Sequence, residues 1–385
     1  MSPIVFGITG TNGKTTVSYI LRNILKTTGK KCGLIGTISH QIGENEYEAI
    51  NTTPGEKLLL DYFDQMTESS IDYCVMEVSS HGLDQGRVDK INIDYAGFTN
   101  LTQDHLDYHG TMEAYYEAKK KLFLISKRSN VINIDDLYGK RLFAELDRAR
   151  SVTVSVEDQS ADYFGEIEES AITGSKICFY ENGNKMGNFT VKTPGQFSIY
   201  NAMIAAGLAR CGGIRFDDIK SGIETMDGVP GRFEVIRGKD EITAIVDYAH
   251  TPDALENVLK TASEAKNKGR LLCVFGCGGN RDKDKRRKMG LIAGTYSDYV
   301  IITNDNPRSE DPLDIAAEIE EGVYDTGCNY HVMLDRYQAI KSAVALCSKG
   351  DIIVIAGKGH ETYQIIGNQK YSFDDREMMR TELEK

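Results

Sequence analysis

Ile4-Val5-Phe6-Gly7-Ile8-Thr9-Gly10-Thr11-Asn12-Gly13-Lys14-Thr15-Thr16 joins an apolar run to a glycine-rich turn, and a helical pattern continues from it to about residue 26. The run Ile4 to Thr9 has the length and apolar content of a buried strand. Glycines in the turn let backbone N–H groups converge on phosphate oxygens, and the helix behind it adds its partially positive amino end. Lys14 can neutralise the β- and γ-phosphates, while a hydroxyl from Thr15 or Thr16 can ligate Mg²⁺. The spacing departs from G-x4-G-K-[ST], because position 8 is Ile rather than Gly. The order of strand, turn, Gly-Lys-Thr-Thr and helix restores the reading. Gly10, Thr11, Asn12, Gly13, Lys14, Thr15 and Thr16 are therefore the expected nucleotide-binding residues. GTPase, kinase and ligase all remain open at this point.

The same rhythm extends outward. Residues 73–78, 95–99 and 130–134 read as further strands, with a helix over 112–123 between them. Such alternation predicts a mostly parallel sheet covered by helices on both faces. Residues 151–193 alternate in short runs around Asn182-Gly183-Asn184, which predicts an antiparallel hairpin region. After a turn-rich break at residues 228–231, strands are expected over 241–247, 270–275, 298–303 and 351–356. The expected class is α/β: a P-loop-type, mostly parallel central domain at 1–230 and a Rossmann-like α/β carboxy-terminal domain at 231–385. Gly231-Arg232-Phe233-Glu234 opens the second domain, and Asp247-Tyr248-Ala249-His250 is expected to end its first strand. The break at 228–231 is the candidate hinge, allowing the second domain to close and keep water from a reactive intermediate.

Composition narrows the function. At 385 residues two domains are the natural division, and 41% hydrophobic with 26% charged residues is ordinary for a soluble globular protein. A net charge of −12 argues against a general nucleic-acid binder, which needs clustered Lys and Arg. The basic stretch at 281–288 reads mainly as a solvated helix start. Eight cysteines lack metal-ligand spacing and read as reduced, mostly buried thiols of a cytosolic protein. The amino terminus has no signal-peptide pattern, and no apolar run suits a membrane span.

Glu77, near the carboxyl end of the 73–78 strand, stands where α/β sheets place their ligands and can hold Mg²⁺. A capped strand end explains it as well. Asp104, His105, Asp107 and His109 crowd one loop. With no cysteine nearby, hard oxygen-rich Mg²⁺ chemistry suits them better than Zn²⁺.

Taken together, GTNGKTT, EVSSHGL, TNLTQDHLDYHG, Glu117-Ala118-Lys119, GRFE, DYAHTPDAL, FGCGGNRDKDKR, DNPR and AGKGHE closely resemble the Mur ligase family, across both expected domains. The resemblance implies an ATP-dependent, ADP-forming amide ligase of peptidoglycan precursor synthesis. Its branch adds meso-diaminopimelate to the D-Glu γ-carboxylate of an acceptor of the UDP-MurNAc-L-Ala-D-Glu type, through an acyl phosphate.

By the same resemblance, Lys119 matches the family's lysine that carries a CO₂-derived carbamate. That anion helps hold a second Mg²⁺ with Glu77 and His105, so the implied metal residues are Thr15, Glu77, His105 and Lys119, and the implied catalytic residues are Lys14, Glu77, His105 and Lys119. Asn201, Arg232, Asp247 and Tyr248 match nucleotide-side positions. Asn51, Thr52, Thr53, Ser79, Gln85 and Arg87 match acceptor contacts. Arg281, Asp305, Asn306, Pro307, Arg308, Gly357 and Glu361 match the amino-acid pocket, where Arg308 suits the distal carboxylate and Glu361 an ammonium group. Lysine-adding relatives lack the arginine of the DNPR motif.

Full-length ligases of this type carry a further amino-terminal domain for the uridine nucleotide, for which the few residues before the phosphate loop leave no room. The expectation is a trimmed or naturally short chain with weak UDP affinity, its acceptor anchored differently or through a separate chain. Two other readings stay open: a short Mur-type ligase on another acceptor, such as a specialised peptide or polyglutamate-like chain, and a non-catalytic nucleotide-binding subunit. Intact Lys14, Glu77, His105 and Lys119 count against the latter.

Overall fold

The computed structural model describes residues 2–171, 173–266 and 268–385. The chain divides into two compact units, one of Met1–Thr102 with His109–Asp227, the other of Gln103–Tyr108 with Gly228–Lys385.

In the first unit the strands are β1 (Ile4–Thr9), β2 (Cys32–Ile35), β3 (Ser39–Ile42), β4 (Asn45–Glu48), β5 (Tyr73–Glu77), β6 (Tyr95–Phe98), β7 (Ser129–Asn133), β8 (Ser151–Ser155), β9 (Tyr163–Ala171), β10 (Gly174–Glu181) and β11 (Asn184–Val191). They form one sheet in the order β11-β10-β9-β8-β7-β6-β1-β5-β2-β3-β4. The pairs from β2 through β9 are parallel, and antiparallel pairing closes both ends. The region 151–193 is thus only partly antiparallel, since β8 runs parallel to both neighbours. The hairpin itself is as expected: Asn182 and Gly183 turn β10 into β11 with φ of 49° and 75°, the pair of positive values that matches strand twist.

Side-chain alternation covers both sheet faces. Phe6 and Ile8 of β1 join a core with the helices Lys14–Thr27 and Gln196–Cys211. Val5 of β1 faces the opposite core, shared with the helices Glu56–Glu68 and Met112–Ile125. The helix Lys14–Thr27 buries Val17, Ile20, Leu21, Ile24 and Leu25, one stripe of a 3.6-residue period.

The second unit has β12 (Glu234–Arg237), β13 (Thr243–Asp247), β14 (Leu271–Phe275), β15 (Tyr299–Ile302), β16 (Asn329–Val332) and β17 (Ile352–Ala356) in the order β12-β13-β17-β14-β15-β16, followed by a separate hairpin of β18 (Tyr363–Ile366) and β19 (Gln369–Ser372). All neighbours in the larger sheet are parallel except β12 with β13. Asp247 therefore ends the second strand of this unit rather than the first. The strand β12 escapes sequence reading because, as a short edge strand, only its Ile236 is buried.

The basic run is also less solvated than expected. In the helix Asp284–Tyr296, Lys285 and Arg286 are buried, and Arg286 pairs with Glu310 and Glu318 at 3.0 Å each. The eight cysteines are free thiols, five of them buried. Among the described residues no helix is long and apolar enough to cross a membrane.

Candidate functional site

In the first unit, the loop after β1 leads into its helix through Gly13, which sits at φ 87° where only glycine is at ease. A side chain is excluded there for a second reason: a Cβ on Gly13 would lie 2.2 Å from Oδ1 of Asn201. Gly10 is as tightly held, its would-be Cβ 1.8 Å from the Thr99 hydroxyl. The end of β6 braces this loop. Asn12 N–H donates to Asn100 Oδ1 (2.9 Å), Thr99 Oγ1 donates to the Asn12 carbonyl (2.7 Å), and Thr11 N–H donates to the Asn100 carbonyl (2.9 Å).

Lys14 curls back over this loop, its Nζ donating to the carbonyls of Gly10 (2.9 Å) and Thr11 (2.8 Å). The Lys119 ammonium, buried on the helix Met112–Ile125, donates to the same Gly10 carbonyl at 2.8 Å and lies 4.5 Å from the Tyr115 ring centroid. The Tyr115 hydroxyl in turn meets Thr11 Oγ1 at 3.2 Å. A solvated helix face is the ordinary place for such a lysine; this one points into the loop.

Glu77 is fully buried at the end of β5. Its carboxylate accepts from Thr15 Oγ1 (2.9 Å), Thr37 N–H (2.9 Å) and Thr37 Oγ1 (2.8 Å). Parallel register of β5 beside β1 is what sets Glu77 against the phosphate loop. Among the described residues no three His, Cys, Asp or Glu side chains converge as a metal group. One carboxylate flanked by hydroxyls nevertheless suits Mg²⁺, which takes one or two protein carboxylates and completes its shell with phosphate and water. Thr37, at the end of β2, was not singled out from the sequence. Its position just past an apolar strand is the signal that could have marked it.

A second group adjoins Glu77. Thr53 Oγ1 donates to the Glu77 carbonyl (3.0 Å) and accepts from Ser79 N–H (2.9 Å), while Thr52 and Thr37 hydroxyls meet at 3.1 Å. Arg87 donates to the Thr53 carbonyl (2.7 Å) and twice to Gln85 Oε1 (3.0 and 2.6 Å). Of the expected acceptor residues, Thr52, Thr53, Ser79, Gln85 and Arg87 are brought together. Asn51 is exposed and stands outside this network.

His105 belongs to Gln103–Tyr108, counted with the second unit, and has φ 54°. Its Nε2 lies 3.3 Å from Asp104 Oδ2. Burial pushes the Asp104 carboxyl up, but the His250 hydrogen bond and the charges of His105 and Lys285 outweigh it and hold the group well below the usual range.

Four loops gather at the carboxyl ends of the parallel strands of the second unit. After β13, Asp247 accepts from the N–H groups of Phe233 (2.6 Å) and Ala249 (2.7 Å), and Arg232 lies over the Tyr248 ring at 4.2 Å. Burial pushes the Asp247 carboxyl up from its usual range. After β15 come Asp305, Asn306, Pro307 and Arg308; after β17, Gly357 to Glu361. The two are knitted together: Asn306 Nδ2 donates to Glu361 Oε2 (2.9 Å), and a Cβ on Gly357 would sit 2.6 Å from Asp305 Oδ2. Gly279, in the loop after β14, packs so closely on Pro307 that a Cβ would lie 1.9 Å from the proline carbonyl. Arg308 holds φ 53° and donates to the Gly279 carbonyl at 2.7 Å. Burial and the like charge of Arg281 bring its guanidinium below its usual value. Arg281, Arg308 and Glu361 on these loops are of the types that pair with a carboxylate and an ammonium.

Two further buried residues at these loops were not predicted. Arg336, fully buried, donates to the carbonyls of Asn304 (3.1 Å) and Ala356 (3.0 Å), at the roots of both loops, and pairs with Asp375 at 2.7 Å. Lys358, inside AGKGHE, is fully buried as well.

One α/β sheet carries a glycine-rich turn of the phosphate-loop kind, and the other carries a cluster of charged side chains at the carboxyl ends of its parallel strands, an arrangement of the ligase class. The Mur ligase middle domain matches residues 8–209, and the Mur ligase glutamate ligase domain matches residues 231–359. The chain is 46% identical over 373 residues to a UDP-N-acetylmuramoyl-L-alanyl-D-glutamate–2,6-diaminopimelate ligase of Alkaliphilus oremlandii, covering 97% of this chain and 76% of the relative. It is 44% identical over 381 residues to the protein of the same name from Fusobacterium nucleatum, covering 98% and 77%. A solved structure of a ligase with that name superposes with a TM-score of 0.68 at 36% identity, covering all of this chain and 78% of the other. This chain belongs to the Mur ligase family.

Proposed function

We propose that this chain is an ATP-dependent, ADP-forming ligase that joins meso-diaminopimelate to the γ-carboxylate of a D-Glu acceptor of the UDP-MurNAc-L-Ala-D-Glu type. The observation that carries this reading is the contact of Thr15, in the first turn of the helix after β1, with Glu77 at the end of the neighbouring strand β5, in a chain this similar to ligases so named. The boundary between domains at 230/231, with residues 228–231 as hinge, is part of the same proposal.

The acceptor carboxylate attacks the γ-phosphorus of ATP, giving an acyl phosphate and ADP. The amino acid's amine then attacks the acyl carbon, a tetrahedral intermediate forms, and phosphate leaves. Backbone N–H groups of residues 10–16 and the Lys14 ammonium hold the triphosphate. Thr15 and Glu77 would hold one Mg²⁺; Lys119 as its carbamate, with Glu77 and His105, would hold a second. Bound there, Mg²⁺ neutralises charge spreading over the transferred phosphoryl group. Thr52, Thr53, Ser79, Gln85 and Arg87 orient the acceptor, with Asn51 at its edge. Asn201, Arg232, Asp247 and Tyr248 serve the nucleotide. Arg281 and Arg308 take carboxylates of the amino acid, and Glu361 an ammonium, within a frame of Asp305, Asn306, Pro307 and Gly357.

The test is phosphate release across a panel of amino acids and acceptors, with the product identified by mass spectrometry. Phosphate release that needs both the acceptor and meso-diaminopimelate, with a new amide, is expected. A lysine adduct formed equally well would remove the assignment of the amino acid, and an amide formed only on a different acceptor would remove that of the acceptor.

A further inference from the structure

Lys358 has no part in the chemistry outlined above, yet it is among the largest fully buried side chains of the protein. Burying an ammonium is costly unless it is paired and hydrogen-bonded. Its Nζ donates to Glu361 Oε2 at 2.8 Å and to Asn306 Oδ1 at 3.1 Å. Asn306 closes the triangle by donating its Nδ2 to the same Glu361 Oε2 at 2.9 Å. The Asn306 amide is pinned from a third side, since Ile365 N–H donates to its Oδ1 at 2.8 Å. Both of these bonds to the carboxylate of Glu361 fall on one oxygen, Oε2, and neither uses Oε1.

We infer that Lys358 is a positioning residue for amino-acid selection: it locks Glu361 and Asn306 into one arrangement, so that Glu361 Oε1 meets an ammonium at the end of the ligand whose carboxylate Arg308 takes. The inference rests on the proposed amino-acid pocket and extends it. Asn306 links the two ends: its carbonyl lies 3.5 Å from an Arg308 guanidinium nitrogen and its side-chain amide donates to Glu361 Oε2 at 2.9 Å. Without the lysine, Glu361 is held by the Asn306 amide alone, one bond in place of two, and its carboxylate can turn more readily toward Arg308. The pocket would then favour a carboxylate less and fix the ammonium less well.

The test compares Lys358→Met, which keeps the unbranched stem, with Lys358→Gln and the unaltered chain. Steady-state kinetics are measured with meso-diaminopimelate and with 2-aminopimelate, which retains both carboxylates but lacks one ammonium. We expect KM for meso-diaminopimelate to rise on the order of tenfold or more in Lys358→Met, with KM for ATP unchanged and the preference over 2-aminopimelate reduced. A merely structural role would move all KM values together and leave that preference intact, overturning the proposal. So would an unchanged KM for meso-diaminopimelate. If Lys358→Met does not fold, Lys358→Gln must show the same loss of preference or the proposal fails. Calorimetric binding of meso-diaminopimelate to the unaltered chain separates the two levels. Tight binding with no effect of the variants sinks the role of Lys358 alone; no binding at all sinks the pocket with it.

Discussion

The ammonium nitrogens of Lys14 and Lys119 converge on a single acceptor, the Gly10 carbonyl, at 2.9 and 2.8 Å. Two cations on one oxygen repel, and turning Lys119 into an anionic carbamate replaces that repulsion with attraction. Lys119→Arg keeps a cation that cannot be carbamylated. Its kcat should fall by about 10²-fold or more, the scale of losing a preorganised charge at the transferred phosphoryl group. Unaltered enzyme should slow in CO₂-depleted buffer and recover with bicarbonate, measured as initial rates of phosphate release. Indifference to bicarbonate would count against the carbamate.

Gly13 and Asn201 leave no room for one another's growth. Gly13→Ala adds a Cβ 2.2 Å from Asn201 Oδ1 at a backbone φ of 87°. A loss of about 1–3 kcal/mol is expected from strain alone, read by urea denaturation. Trimming the partner in Gly13→Ala/Asn201→Ala relieves the clash but not the φ cost, so recovery should be partial.

Arg336 and Asp375 form a pair with no solvent exposure on either side chain, tied to the roots of the loops after β15 and β17, where the amino acid is proposed to bind. Removing one partner strands the other charge, at a cost of about 3–5 kcal/mol. Arg336→Met and Asp375→Asn should each lower Tm sharply, and the arginine variant should also raise KM for the amino acid. Calorimetry and kinetics together check this; a loss of stability with an unchanged KM would deny the loops their dependence on Arg336.

His40 on β3 carries an Nδ1 without a hydrogen-bond partner among the described residues, and burial pushes its imidazole down to about 4. The folded state therefore keeps it neutral while the unfolded chain takes up a proton near its usual value of about 6.5. Between those values the unfolded state binds more protons, so stability is complete above about pH 6.5 and declines as pH falls toward 4. Denaturation midpoints measured across that window should drop, and His40→Phe should flatten the slope.

Arg308→Ala should cost selectivity more than turnover. With one arginine gone from the pair, the ratio of kcat/KM for meso-diaminopimelate over lysine should fall by about 10-fold or more, because a bidentate charge-assisted contact to the second carboxylate is lost. Competition between the two amino acids in one reaction reads the ratio directly.

Much of this was legible in advance, because it is local. The strand–turn–helix from Ile4 to Lys14, the turn at Asn182 and Gly183, and the parallel strands after residue 240 follow from periodicity and turn chemistry. What failed to show was what depends on distant neighbours. The strand β12 is the exception: its partner lies only a turn away, but with Ile236 its single buried residue it shows no alternation to read. Lys285 and Arg286 look solvated until Glu310 and Glu318 are folded against the latter.

By itself the sequence determined the order of elements, the phosphate loop and the charged groups available, since backbone propensity and apolar spacing act over a few residues. Only the tertiary structure decided how those groups are used. Strand register put Glu77 beside Thr15, chain crossing put Asn201 against Gly13, and a buried lysine bound Asn306 to Glu361 from opposite ends of two loops. Each depends on which segments a closed core forces together, and that choice is made by packing over the whole chain.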